Sequence, residues 1–464
     1  MGAEGITGRA IDIGPRRRRF PEWRPETTRD EERRRPTTDD AGPPAMTRGR
    51  RTMLPLEGIK VLDLSSVVFG PLASQTLADH GAEVIKIEPP EGDSTRHTGP
   101  ATEPGMSALF LGSNRSKKSV VLDLKRPAAR EALMALLADA DVFMHSMRPQ
   151  KLAPLGIDPA TLSARFPRLV YAGFHGFAQH GPYAGRPAYD DVIQGMSGLA
   201  ALMQMQSGEA RYLPTIAADK TCALVGAQAI LAALFRRERT GRGAVVEIPM
   251  FETMVAFNLV EHLYGAHFEP PLAPAGYPRL LTPWRRPWRT ADGHVCMMPY
   301  TNAHWRRFFA EVGAPMLADD ARFVDVGART RHIGELLEIA GGHVARGTTA
   351  HWLATCERLE IPAAPVSRLD DLPADPHLVA TGFFATLDDP AMGTLRFPGV
   401  PVSFDGARPP VGMPPRLGQH TRQSLAAAGW PPERIDALIA GADASRAPHV
   451  PDAAHVPSLQ EPTP

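Results

Sequence analysis

The chain has 464 residues, 43% of them apolar, with 51 Lys plus Arg balanced by 51 Asp plus Glu. That length buries a sizeable core and allows more than one domain, while the zero net charge supplies no field that would select nucleic acid or an anionic membrane. Three cysteines, Cys222, Cys296 and Cys356, stand far apart with no CxxC spacing. This argues against a disulfide framework, an iron–sulfur cluster or a zinc site, and suits a reducing, cytoplasmic compartment.

Residues 1–52 are rich in Arg, Pro, Asp and Glu and lack apolar periodicity, which predicts a disordered arm. Its basic runs, Arg16 to Arg19 and Arg33 to Arg35, are diluted by Asp30, Glu31, Asp39 and Asp40, so it is not read as a nucleic-acid or membrane tether. Met53 stands directly before the first structured motif and is an alternative start. No signal-peptide pattern is found, so export is not expected.

From Leu56 the texture changes. Ile59 to Leu64 reads as a strand, the loop Ser65 to Gly70 leads into a helix with Pro71 in its first turn, and Gly81 releases a second strand, Glu83 to Glu88. The alternation continues with strand Ser119–Leu124, helix Pro127–Asp139, strand Asp141–Met144, helix Pro159–Phe166 and strand Arg168–Ala172. This predicts an α/β fold with a parallel sheet between helices. A helix over Ala217–Arg239 follows; its apolar core, Cys222 to Phe235, is too short to cross a bilayer and reads as a buried helix. The turn Thr240 to Gly243 and the strand Ala244–Ile248 come next. Beyond Tyr277 the pattern predicts a smaller mixed domain, with a strand near Val295–Met298 and helices over Ala303–Val312, Ile333–Ala345 and Ala350–Leu359. Residues 448–464 read as a loose Pro-rich tail.

Ligands of such sheets bind beyond the carboxyl ends of the strands, yet both GxGxxG and GxxxxGK[ST] are absent, which excludes the usual dinucleotide and P-loop sites. The most informative stretch is the glycine-rich loop Gly173-Phe-His-Gly-Phe-Ala-Gln-His-Gly-Pro182 followed by Arg186-Pro-Ala-Tyr-Asp-Asp-Val-Ile-Gln194. It leaves a strand at the ligand-binding end, and Asp190 opens the next helix, where amide dipoles stabilise negative charge and make a carboxylate available as a nucleophile. Local spacing equally allows an N-cap role for Asp190 or Asp191. His175, near the strand end, is a candidate ligand contact, whereas His180 reads as a surface residue.

Several motifs together resemble the family III CoA-transferases of the CaiB/BaiF type. They are Leu56-Glu-Gly-Ile-Lys-Val-Leu-Asp-Leu64, Gly70-Pro71, Leu77-Ala-Asp-His-Gly-Ala-Glu-Val-Ile-Lys-Ile-Glu88, Gly92-Asp93, Arg96, Asn114-Arg115, Pro167-Arg-Leu-Val-Tyr171, Thr290-Ala-Asp-Gly293 and Pro414-Pro-Arg-Leu-Gly-Gln-His420. The resemblance runs from about Leu54 to Leu425. It implies a Rossmann-like large domain beginning at 53–265, a small domain at 277–385, a C-terminal return over 393–440 that completes the first sheet, and an interlocked homodimer. It also implies Asp190 as the covalent carboxylate, passing through an acyl anhydride and an aspartyl-CoA thioester.

By the same resemblance, CoA is expected along Val67 and Phe69, at Leu122 and Lys125, and at Ser146 and Met147, with His175 added from its place at the strand end. Lys125 is the expected phosphate partner. Coenzyme A and acyl-CoA enter as substrates alongside a carboxylic acid, with no permanently bound cofactor and no metal. The alternative within this superfamily is a 2-methylacyl-CoA racemase, which opposes a His to the Asp. No His lies between Leu155 and Val170, and Tyr189 rather than His precedes Asp190, so transfer is the preferred reading. Glu252 matches an acidic position of those racemases and reads equally well as a helix-start carboxylate.

Overall fold

The computed structural model describes residues 53–445; the arm at 1–52 and the tail at 448–464 lie outside the described residues. In chain order the elements are β1 Lys60–Leu64, α1 Phe69–Asp79, β2 Glu83–Glu88, α2 Ala108–Asn114, β3 Lys117–Val121, α3 Pro127–Leu137, β4 Val142–His145, α4 Pro159–Arg165 and β5 Val170–His175. Then come α5 Asp190–Met196, α6 Leu199–Ser207, α7 Ala217–Thr240, β6 Ala244–Pro249 and α8 Met250–His262.

The first six strands form one parallel sheet in the order β3-β2-β1-β4-β5-β6, the doubly wound arrangement whose direction reverses between β1 and β4. Period-2 alternation sorts each strand onto two faces. Val61, Val142, Met144, Val170 and Ala172 face the core built with α1, α7 and α8. Leu62, Phe143 and Tyr171 face the core built with α3 and α4. Burial on both faces explains why these strands read as short continuous apolar runs.

β3 begins two residues earlier than expected. Lys117 is its first residue, and the charge that hides the strand in the sequence is satisfied indoors: Nζ donates to Pro71 O at 2.7 Å and Asn114 Oδ1 at 2.8 Å, and lies 3.3 Å from Asp63 Oδ2. The long helix α7 is also not buried all round. Ala218, Cys222, Gly226, Ile230 and Leu234 pack inward, while Leu224, Val225 and Phe235 are exposed.

A second apolar cluster gathers downstream around Trp305, Phe308, Phe309, Phe323 and Trp352. It is built by β7 Trp288–Arg289, β8 His294–Met297, α9 Asn302–Glu311, α10 Val326–Arg331, α11 Ile333–Val344, α12 Thr349–Arg358 and β9 Ala363–Pro365. β7, β8 and β9 form an antiparallel sheet.

After α13 Pro376–Ala380, β10 Phe384–Asp389 pairs antiparallel with β11 Gly393–Pro398 in a separate two-stranded sheet. The C-terminal return therefore does not complete the main sheet as expected; all six of its strands lie within residues 60–249. The return instead seals the sheet's edge. Along β3, Ser119 N donates to His420 Nδ1 at 3.2 Å, Val121 N donates to Thr421 Oγ1 at 3.1 Å, and His420 N donates to Ser119 O at 2.9 Å. Side chains thus take over hydrogen bonds that a seventh strand would have made, which closes an otherwise open edge. α14 Thr421–Ala427 and α15 Pro432–Ser445 then bury Leu425, Trp430, Ile435 and Leu438 in the α3 core.

Replacing Thr421 by Val keeps the shape but leaves Val121 N buried without an acceptor. The expected cost is about 1–3 kcal/mol in urea unfolding at unchanged m, with Thr421→Ser close to wild type. Equal stability of the Val variant would show that the edge is not sealed through this hydroxyl.

Candidate active site

The carboxyl ends of β1, β4 and β5 open onto a cavity of about 320 Å³, lined among others by Ser66, Val67, Phe69, Ser146, Arg148, His175, Arg186, Tyr189 and Asp219. It lies at the β1/β4 reversal, where the two crossover directions part and leave a crevice.

The loop after β1 is held from beneath by buried charges. Lys86 lies 2.8 Å from Asp93 Oδ2 and donates to Ser65 O at 2.9 Å; Asp63 Oδ1 accepts from Ser65 N at 2.9 Å. Asp93 Oδ1 also accepts from Val67 N at 3.3 Å. Val67 consequently sits at φ 70°, a left-handed conformation that a β-branched residue adopts only when its surroundings force it. Burial opposes ionisation of Asp63, but Lys117 and Lys86 outweigh it and hold the carboxyl below its usual range. Burial pushes Lys117 down to about 7, against the opposing pull of Asp63.

β5 and its loop need glycine at two places. A Cβ on Gly173 would lie 2.6 Å from His175 Nε2, and one on Gly176 would lie 2.4 Å from the Ala188 Cβ. Glycine at 176 thus lets the loop press against the segment that delivers Tyr189 and Asp190. Two backbone amides of this loop are held by carboxylates: Ala178 N donates to Glu252 Oε1 at 3.2 Å, and Gln179 N donates to Glu247 Oε1. Glu252 therefore anchors the loop.

Asp190 is buried, 7% exposed, and is the first residue of α5 rather than its N-cap, which is Tyr189. Its Oδ1 accepts from Asp219 N at 2.9 Å, and its Oδ2 accepts from Gln194 Nε2 at 2.6 Å. The Asp219 amide belongs to the first turn of the 24-residue α7, so the charge-stabilising helix end comes from α7 rather than α5. Gln194 is 1% exposed and locked, donating also to Thr215 O at 3.2 Å and accepting from Leu213 N at 2.9 Å. Asp191 is exposed. Partial burial and then the nearby Asp190 push the Asp219 carboxyl up to about 7. Burial and then Asp219 push the Cys222 thiol up to about 12, so it is no rival nucleophile.

His145 and His175 meet edge to face, with ring centroids 5.6 Å apart. Burial and then His175 drive His145 down to about 3, so it is neutral. Because Met147 N donates to His145 Nδ1 at 3.2 Å, the proton resides on Nε2 and points to Tyr171 Oη, 2.8 Å away. His175 is held below its usual range by burial, against the pull of Glu247.

Of the residues expected from sequence, the cavity gathers Val67, Phe69, Ser146 and His175, with Asp190 directly behind Tyr189 and Asp219. It does not gather the others. Leu122 is buried in the α3 core, and the Met147 side chain packs against that core. Lys125 is exposed beyond β3, the far edge strand of the sheet. The cations that do line the cavity are Arg148 and Arg186. Asp219, Gln194 and Arg186 were missed as site residues; only the proximity of Gln194 and Arg186 to Asp190 in the chain hinted at them, and nothing local marked Asp219. Among the described residues no group of three or more His, Cys, Asp or Glu side chains could hold a metal.

The sequence profile of CoA-transferase family III matches residues 56–421. The succinate–glutarate CoA-transferase of Agrobacterium fabrum is 32% identical over 383 residues, 80% of this chain and 95% of that protein. The succinyl-CoA:glutarate CoA-transferase of Mus musculus is 31% identical over 406 residues, 84% of this chain and 92% of its own. Among solved structures, an aspartate-to-alanine mutant of a Mycobacterium tuberculosis protein aligns with TM-score 0.70 at 30% identity, covering 79% of this chain and 98% of that one. A CaiB/BaiF family protein from Brucella suis gives 0.68 at 29% identity, covering 81% and 100%. Fold and relatives together define an enzyme of group transfer on CoA thioesters. The chain belongs to CoA-transferase family III.

Since the Asp219 carboxyl is raised from its ordinary 3.8 to about 7, the folded state resists its ionisation, and that penalty grows as pH rises from about 4 through about 7. Asp219→Asn is therefore expected to stabilise the fold by about 1–2 kcal/mol at pH 8, after allowance for partial exposure, and by almost nothing at pH 4. Thermal unfolding across that range checks it; a pH-independent difference would contradict the assignment.

Proposed function

We propose that the chain moves CoA from an acyl-CoA donor to a carboxylic acid, with Asp190 as the covalent carrier. The reading is supported chiefly by the placement of Asp190. It is a buried carboxylate held from two sides, by the α7 amide and by Gln194, beside a cavity at the sheet's reversal point.

A carboxylate oxygen of Asp190 attacks the donor thioester carbonyl. The C–S bond breaks, and CoA leaves as thiolate from an acyl-aspartyl anhydride. The thiolate then attacks Cγ of Asp190, forming the aspartyl-CoA thioester and releasing the donor as its free carboxylate. The acceptor carboxylate attacks the same Cγ and expels CoA thiolate. Attack of that thiolate on the acceptor's carbonyl in the new anhydride yields the product thioester and restores Asp190. Each step exchanges one activated acyl bond for another and no net proton moves, so the cycle needs no ATP, metal or permanently bound cofactor.

Arg148 and Arg186 are the cations placed to meet CoA phosphates, and His175, Ser146, Val67 and Phe69 wall the path of the thioester arm. Succinyl-CoA with glutarate is the first pair to assay, because the relatives named above carry those substrates in their names. Racemisation of 2-methylacyl-CoA is not favoured: the relatives bear transferase names, and His145 already spends both ring nitrogens on Met147 and Tyr171.

Asp190→Ala is expected to lower transfer at least about 10³-fold. Borohydride or hydroxylamine should trap an enzyme-bound thioester in the wild type only. Normal turnover by the Ala variant would refute the carrier role.

The working form is proposed to be an interlocked cytoplasmic homodimer. Val192 and Met196 of α5, Leu224 and Val225 of α7, and Phe257 and Val260 of α8 are all exposed apolar side chains, more than a lone chain normally leaves uncovered. Sedimentation should give a dimer down to nanomolar concentration, whereas Leu224→Glu with Phe257→Glu should give monomer or aggregate; a wild-type monomer at all concentrations would refute it.

A further inference from the structure

A second cavity, of about 560 Å³, shares no lining residue with the one beside Asp190. It lies against the Trp305 core and has two kinds of wall. Trp284, Trp288, Ile333 and Leu337 supply apolar surface, while Arg279, Arg285 and Arg286 supply positive charge.

The charge is uncompensated. Arg279 is 5% exposed, and its contacts are a long hydrogen bond from Nη1 to Thr330 Oγ1 at 3.5 Å and the Tyr300 ring, 5.6 Å from Cζ. Arg329, also buried, donates to Phe323 O at 2.8 Å and Asn302 Oδ1 at 2.6 Å, but its Nε has no partner. Among the described residues no carboxylate lies within 4.0 Å of the lining Arg279, Arg285 or Arg286, whereas the buried Lys86, Arg96 and Lys117 each have one. Arg285, at the rim, is held below its usual range by partial desolvation and by repulsion from Arg279.

A second, independent observation points the same way. Trp288 Nε1 donates to Met297 O and Trp352 Nε1 to Val344 O, both at 2.7 Å, whereas the Trp305 side chain lines this cavity and its enclosed Nε1 has no acceptor. A buried guanidinium with one long hydrogen bond and no carboxylate beside it, as at Arg279, is costly to keep charged without a partner, and a bound anion would supply one. The missing partner is an acceptor-only group of negative charge. The flat Arg fork matches a carboxylate in two-point contact, and the tryptophan and aliphatic walls match a hydrocarbon or aromatic body.

We propose that this cavity is a binding site for an organic carboxylate with an apolar body, its head on Arg279 and Arg285 and its body against the tryptophan walls. The proposal does not depend on Asp190 acting as carrier. Carboxylic acids are the substrate class of the family, so such a site takes either an acceptor acid on its way to transfer or an acid acting at a distance.

Three tryptophans line the cavity, so the full-length Asp190→Ala protein reports occupancy by tryptophan fluorescence without turnover. Titration with phenylacetate or hexanoate is expected to saturate. Arg285→Met is expected to weaken binding about 10-fold or more, the worth of a charged hydrogen bond, with Arg286→Met as a second rim variant that spares the buried Arg279. Benzyl alcohol, matched in shape but neutral, should bind far more weakly, and inorganic phosphate should fail to compete. Saturation by the alcohol as tight as by the acid would mean an apolar cavity only, and displacement by phosphate would mean a phosphate site. No saturation by any acid, with Arg285→Met changing oligomeric state instead, would mean that a second copy's carboxylate fills the place. Each of these outcomes overturns the proposal.

Discussion

The active-site geometry depends on a buried set of three acids and three bases beneath the first strands: Asp63, Glu88 and Asp93 against Lys86, Lys117 and Arg96, none more than 4% exposed. The set is electrically neutral, and its members reach across the chain. Arg96 pairs with Glu88 through two hydrogen bonds of 2.7 Å and also donates to Pro415 O, tying the end of β2 to the C-terminal return. Ser119 Oγ joins at 2.6 Å from Glu88 and accepts from Gly418 N at 2.9 Å. Apolar side chains of equal volume would give comparable stability, since ion pairs regain little beyond their desolvation. What they would not give is direction. Hydrogen bonds with fixed angles hold Ser65 and Val67 in one conformation, including the unfavourable backbone at Val67, and so shape the cavity wall.

The second constraint is the N-terminus of α7. One helix end meets Asp190 through the Asp219 amide and at the same time carries the Asp219 carboxyl, so a hydrogen-bond donor and a reluctant acid arrive on the same residue. The division of labour follows from surroundings: both oxygens of Asp190 accept protein N–H groups, whereas no donor serves the Asp219 carboxyl among the described residues. Burial first, and then the neighbouring Asp190, make the Asp219 carboxyl hold its proton longer than an ordinary aspartate. The outward apolar face of the same helix links the site to the surface proposed for the partner chain.

Much of this was legible in order and kind. The βαβ alternation, the Pro71 helix start, the glycine-rich loop after β5 and the carboxylate at the head of α5 are local patterns, set by side-chain period, proline and glycine stereochemistry and short-range dipoles. The misreadings are instructive. The start of β3 was hidden because Lys117 looks like a surface residue until Asp63, 54 positions away, neutralises it. The return over 393–440 was expected, from the family resemblance, to complete the sheet. His420 and Thr421 do the same work with side chains. Lys125, expected at the phosphates by resemblance, lies outside the cavity beyond β3, and the cations that line the cavity are Arg148 and Arg186.

Sequence by itself determined the α/β class and most of the succession of elements, because these are written in neighbouring residues and in their spacing; Asp190 rather than Asp191 was singled out by the family resemblance. Tertiary structure alone decided which helix end meets Asp190, that Asp219 is its companion, which cations face the cavity, and that the three arginines lining a second cavity have no carboxylate within ion-pair distance. These depend on residues tens to hundreds of positions apart being brought within hydrogen-bond reach, and both desolvation and Coulomb energy are functions of distance and burial, which a linear order of side chains does not contain.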